Sequence, residues 1–197
     1  MTASAFDIPK HFKAGRPAWV IGLGRWLAKR AGWSLTGAFP DKPGKYVVPV
    51  APHTSNWDFV IGLYLVLALD LKVNWLGKHT IFVPGVAKLW RALGGIPVDR
   101  AHPSGVLTSL EQLMSTQAAT LIAIAPEGTR KKTTRWKTGF LRLACNANAT
   151  VIPIGIDSKS KQFKVLTAYS PTGEVEDDLK AIQAQMSHCQ GINPDNM

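Results

Sequence analysis

Apolar residues along this chain fall into two alternating styles. Short, nearly continuous apolar runs of strand length cover residues 46–50 and 119–125; such runs fit strands buried on both faces of a parallel sheet. Between them lie longer stretches with helical spacing or length: 17–31, 56–69, 84–93, 105–117 behind Ser104 as cap, and 139–147. Further strand-like stretches occupy 72–76 and 96–100, where Pro97 argues for an edge or strand end. Two more, 150–156 and 162–168, flank a Ser/Lys turn, and an amphipathic helix near 174–189 follows. Strands alternate with helices as far as residue 156. The class is therefore α/β, a single domain with a mostly parallel central sheet that can carry an antiparallel edge.

The first helical stretch has a particular polarity. Trp19, Val20, Leu23, Trp26, Leu27 and Arg30 follow a spacing near 3.6, with Pro17 at the first turn and Arg25 and Lys29 towards another face. Trp and Leu opposite Lys and Arg suit a helix lying in a membrane interface. The plainer alternative is a surface helix docked on the core, and Gly22 and Gly24 weaken its helical preference.

Charge sharpens this picture. The 197 residues carry a formal net charge of +10, and residues 1–45 hold eight Lys/Arg against two Asp. That bias points to a polyanionic partner: a membrane surface, a nucleic acid or a phosphorylated substrate. The chain divides on this basis into a basic amphipathic membrane-associating segment, 1–45, and an α/β domain, 46–197. No apolar run approaches the ~20 residues that span a bilayer. Two cysteines without metal spacing and the absence of a secretory pattern suggest a cytoplasmic, peripheral protein. Known aromatic/basic nucleic-acid motifs are missing, so no nucleic acid is expected as partner.

Four loops leave strand-like runs with reactive or charged residues: His53/Asp58, Lys78/His79, Asp99/Arg100, and Glu127–Arg130. If the strands are parallel, all four meet beyond one sheet edge, where ligands of open α/β sheets bind. On a continuous helix the five-residue step from His53 to Asp58 would turn the side chains roughly 140° apart. With His53 still in the loop, the two can touch, and an oriented His–Asp pair is a general base. Ser55-Asn56-Trp57-Asp58 also has the form of a capping box. Because a carboxylate has two oxygens, both roles can coexist. Arg130, with Arg100 and Lys137 as neighbours, can clamp a phosphate through forked and point-charge donors. Gly128 and Thr129 could equally make a simple turn, and Lys131, Lys132 and Arg135 read as a solvated basic loop.

Four ordered blocks resemble those of the glycerolipid acyltransferases, which include the 1-acylglycerol-3-phosphate acyltransferases. They are His53-x4-Asp58, Gly94-Gly95-Ile96-Pro97-Val98-Asp99-Arg100, Pro126-Glu127-Gly128-Thr129-Arg130, and Val151-Ile152-Pro153-Ile154-Gly155. The match covers roughly 45–157. Pro52 before the histidine and Pro97 in the second block depart from the family's usual residues. The resemblance implies acyl transfer from acyl-CoA or acyl-carrier protein to a hydroxyl of a lysophospholipid or glycerol-phosphate type acceptor, with His53 as base and Asp58 as its orienter. It also implies substrate binding by Lys78, Arg100, Glu127, Gly128, Thr129, Arg130 and Lys137, without a metal or resident cofactor. Two other readings of the same residues are a non-catalytic basic membrane-binding module and a thioester hydrolase using the same pair.

Overall fold

The computed structural model describes residues 8–99, 103–133 and 135–196. In chain order its helices are α1 (Ala18–Ala31), α2 (Asn56–Ala68), α3 (Ala87–Ala92), α4 (Pro103–Thr116), α5 (Gly139–Asn146) and α6 (Val175–Met186). The strands are β1 (Ser34–Thr36), β2 (Lys45–Ala51), β3 (Asn74–Lys78), β4 (Gly95–Val98), β5 (Thr120–Ile124), β6 (Thr150–Val151), β7 (Ile154–Asp157) and β8 (Gln162–Val165). They form one sheet in the order β1-β8-β7-β2-β5-β3-β4, with β6 also paired to β2. The neighbours β7-β2-β5-β3-β4 are all parallel. The α/β class with a mostly parallel sheet flanked by helices therefore holds.

Three local expectations are corrected. The stretch 150–156 is two strands rather than one, because Pro153 cannot donate a ladder bond. The chain steps there, and Ile152 N–H turns to Val47 O at 2.9 Å while Leu166 N–H reaches Pro153 O at 2.9 Å. Strand β8 is antiparallel to β7, yet it is not the edge, since β1 pairs with it in parallel on the outside. Three residues of mixed polarity, Ser34-Leu35-Thr36, carry no periodic signal, so β1 was invisible in the sequence. Lastly, α4 begins at Pro103, so Ser104 lies in the first turn instead of capping it; proline suits that first position because its missing N–H would have no helical partner.

Alternating side chains of the central strands feed two cores. Val48, Leu121, Ile154 and Phe163 pack with Ile61 and Leu65 of α2 and Ala28 of α1 on one face. Val47, Ile122 and Val151 pack with Met114 of α4, Phe140 of α5 and Ile182 of α6 on the other. Helix α3 joins the first face through Trp90, whose ring lies 5.9 Å from Phe59 and 6.0 Å from Trp75.

The basic N-terminal stretch is tied into this body. Phe12, Trp33 and Phe39 are core residues, and Asp70, just past α2, accepts the backbone N–H groups of Gly15 (2.9 Å) and Arg16 (3.0 Å). At Gly24 of α1, a Cβ would run into the backbone of Leu67 and Ala68. The glycine that weakened the helical reading is thus the point where α1 and α2 approach most closely. Their contact leaves Trp19 73% and Trp26 61% exposed on the outer side of α1.

Candidate active site

Because β2, β5, β3 and β4 are parallel, their carboxyl ends deliver all four reactive loops to the same sheet edge. Strands β2 and β5 are direct neighbours, and this adjacency builds the centre of the site. After β2 a cis Ala51–Pro52 peptide leads to His53, whose backbone N–H donates to Glu127 Oε2 at 2.7 Å. The loops after β2 and β5 are thereby joined through a side chain 74 residues away in sequence.

Asp58 has the central position. It is 2% exposed, and its Oδ2 accepts the N–H groups of Thr54 and Ser55 at 2.7 Å each. The same oxygen lies 3.2 Å from His53 Nδ1. The capping box is present as well, with Ser55 as the N-cap of α2 and Asp58 at the third helical position. Both contacts expected of Asp58 are therefore present, but through one oxygen instead of one each. Its Oδ1 is buried and has no hydrogen-bond partner among the described residues. With Nδ1 facing the carboxylate, Nε2 is the imidazole nitrogen left to meet a substrate.

Glu127 is partly buried, and that burial pushes its carboxyl above the ordinary range, opposed by the N–H of His53, which favours the anion. The folded carboxyl keeps its proton to higher pH than the unfolded one. Glu127 consequently subtracts stability as pH rises from the ordinary carboxylate range through the raised value.

Gly128 sits at φ +65°, a left-handed turn that glycine adopts without strain. A Cβ there would come within 2.8 Å of Lys137 Cε and 3.1 Å of Lys137 Nζ. The Lys137 side chain therefore lies over the Glu127–Arg130 turn, and its backbone N–H donates to Pro126 O at 2.7 Å. Thr129 Oγ1 accepts the N–H of Lys131. Arg130 and Lys78 are exposed at the same edge, and their side chains form no hydrogen bond or ion pair with another described residue. Arg100 lies outside the described residues. The structure thus brings His53, Asp58, Glu127, Gly128 and Lys137 together, and leaves Arg130 and Lys78 on the rim.

Behind the pair is a cavity of about 180 Å³ that runs between α2 and the sheet. Val48, Leu65, Trp75, Leu121 and Ile154 are among its walls, and His53 and Asp58 are the only ionisable residues among the described ones lining it. An apolar cavity of about 150 Å³ stays dry and accepts benzene, so this one suits hydrocarbon.

Sequence reasoning missed a brace on the catalytic-side loop. Thr54 Oγ1 accepts the N–H of Asn193 at 3.0 Å, and Asn196 Nδ2 donates to Thr54 O at 3.0 Å. These partners are 139 and 142 positions away, and an asparagine in a polar stretch carries no pattern that announces such a contact. Thr54→Val keeps the shape but leaves the Asn193 N–H without its acceptor. It should lower unfolding free energy by about 1–3 kcal/mol in a denaturant titration, with Thr54→Ser close to wild type; equal stability of all three would remove the brace.

Comparison with known proteins agrees with this geometry. The acyltransferase family model matches residues 36–157, more than half of the chain. Among solved structures, the 1-acyl-sn-glycerophosphate (LPA) acyltransferase PlsC from Thermotoga maritima is similar, with a TM-score of 0.59 at 20% identity. That similarity covers 85% of this chain and 75% of the other, and it shows a shared fold. No curated protein matches at a significant level. The family match spans all four motif blocks and both halves of the site, and the chain belongs to the acyltransferase family.

Proposed function

We propose that this acyltransferase moves a fatty acyl group from acyl-CoA or acyl-carrier protein to a hydroxyl of a lysophospholipid or glycerol-phosphate type acceptor at a membrane surface. One contact carries the reading: His53 Nδ1 lies 3.2 Å from Asp58 Oδ2, at the polar end of an otherwise apolar cavity.

Asp58 fixes the tautomer with the proton on Nδ1 and stabilises the imidazolium that forms, as a carboxylate does in a serine-protease triad. Nε2 takes the proton of the acceptor hydroxyl while its oxygen attacks the thioester carbonyl carbon. The tetrahedral intermediate collapses with cleavage of the C–S bond. The departing thiolate takes the proton back from Nε2, giving ester and free thiol with His53 neutral again. The nucleophile belongs to the substrate, so the enzyme needs no serine of its own.

The cavity takes part of the acyl chain. Lys137 and Arg130, together with Lys78 and Arg100, bind the acceptor phosphate through charge-assisted bonds, and the Glu127 carboxylate holds the loop that presents His53. The exposed Trp19 and Trp26 of α1, with Arg25, Lys29 and Arg30 on the same helix, seat the enzyme on an anionic membrane as a peripheral protein. No helix among the described residues is long and apolar enough to cross a membrane.

Replacing the base, His53→Ala, should lower kcat by about 10²–10⁴-fold in an acyl-transfer assay on folded protein, while Asp58→Asn should lower it by up to about 10⁴-fold. Wild-type turnover in the His53 variant would remove the mechanism. If Asp58→Asn changed only the melting temperature, its role would be capping alone. For the phosphate, Lys137→Ala and Arg130→Ala should each raise KM for a phosphorylated acceptor about tenfold with kcat little changed. An unaltered KM in both would take them out of acceptor binding.

A further inference from the structure

The segment that leads from β3 to β4 has a surface unlike the rest of the sheet's carboxyl edge. Ile81, Val83, Val86 and Leu89 are large apolar residues, 39%, 50%, 40% and 53% exposed. Four of them within nine positions make a contiguous patch rather than the scattered exposure normal for a surface. Between Asp70 and Asp99 the chain carries Lys72, Lys78, Lys88 and Arg91 and neither Asp nor Glu.

The patch is connected inward. Phe82, between two of the exposed residues, stacks on Trp75 at 5.9 Å with a 26° interplanar angle, and the Arg91 guanidinium lies 6.0 Å over the Phe82 ring. Trp75 packs edge-on against Phe59 at 4.6 Å, and both Trp75 and Phe59 line the apolar cavity beside His53. A continuous set of packed rings therefore links the surface residues through Phe82 and Trp75 to the wall of the cavity.

We propose that this β3–β4 segment is a second membrane contact: Ile81, Val83, Val86 and Leu89 dip into an anionic bilayer while Lys88 and Arg91 meet its headgroups. It rests on the lipid acyltransferase reading above and adds a contact in a segment distinct from α1. Aliphatic residues on a loop and a short helix, with Lys88 and Arg91 among them in sequence, complement a surface of acyl chains under anionic headgroups. The packed rings tie such a surface to the wall of the cavity beside His53.

The direct test places an environment-sensitive fluorophore at Val86→Cys in a Cys145→Ser background, Cys189 being buried. A label at Ser109→Cys on α4, on the opposite face of the sheet, is the reference. On vesicles of phosphatidylcholine with phosphatidylglycerol, the Val86 label should shift to the blue and its quenching by aqueous iodide should fall about threefold or more. The Ser109 label should not change. The Val83→Ser/Val86→Ser/Leu89→Ser variant, altered only at exposed positions, should partition onto those vesicles at least about tenfold less than wild type.

A Val86 label that stays fully quenchable on vesicles that bind the protein overturns the proposal. So does wild-type partitioning of the triple variant, failure of the wild-type protein to bind anionic vesicles, or shielding of the label only by an acidic acyl-carrier protein. The two readings fail separately. An aqueous Val86 label together with an inactive His53→Ala variant removes this surface and leaves the proposed reaction. A shielded label with a fully active His53→Ala variant does the reverse.

Discussion

One carboxylate oxygen holds the site together. Asp58 Oδ2 accepts two backbone N–H groups of the loop after β2 and faces the imidazole of His53. Each contact depends on the others. The two N–H groups hold the carboxylate at the start of α2, and the carboxylate faces the imidazole. A buried carboxylate without those donors would carry a large desolvation cost. The cap of α2 and the orientation of the base are therefore a single structural fact, and the helix cannot begin correctly without aiming the histidine.

The sheet supplies what this oxygen cannot. Parallel pairing of β2 with β5 puts Glu127 beside His53, and the bond from His53 N–H to its carboxylate joins the two loops. On one side of the pair lies an apolar cavity; on the other lie Lys137 over Gly128 and the rim cations Arg130 and Lys78. The proposed thioester donor and phosphorylated acceptor would need such a division: hydrocarbon favours a dry wall and phosphate a basic rim, which would bring their reacting ends together between them.

The sequence made some of this legible and hid the rest, for physical reasons. Residues 46–50 and 119–125 read as buried strands because both faces are covered, and parallel order then placed their loops together. His53 and Asp58 were readable because their contact is local and the capping box announces where α2 begins. What depended on distant partners was not: Thr54 meets Asn193 and Asn196 far along the chain, and the walls of the cavity are ordinary apolar core residues until packing leaves a gap. The role of Gly24 was hidden too, since a glycine in a helix signals weakness unless its partner helix is known. For Arg130 the structure gives only an exposed position at the edge of the site.

A double-mutant cycle on His53 and Asp58 tests the central claim most directly. If Asp58 acts through the imidazole, adding Asp58→Asn to His53→Ala should change kcat/KM for acyl transfer by less than about threefold beyond His53→Ala alone. Losses that multiply, each substitution costing as much in the double variant as alone, would mean the two residues act independently and would contradict the account.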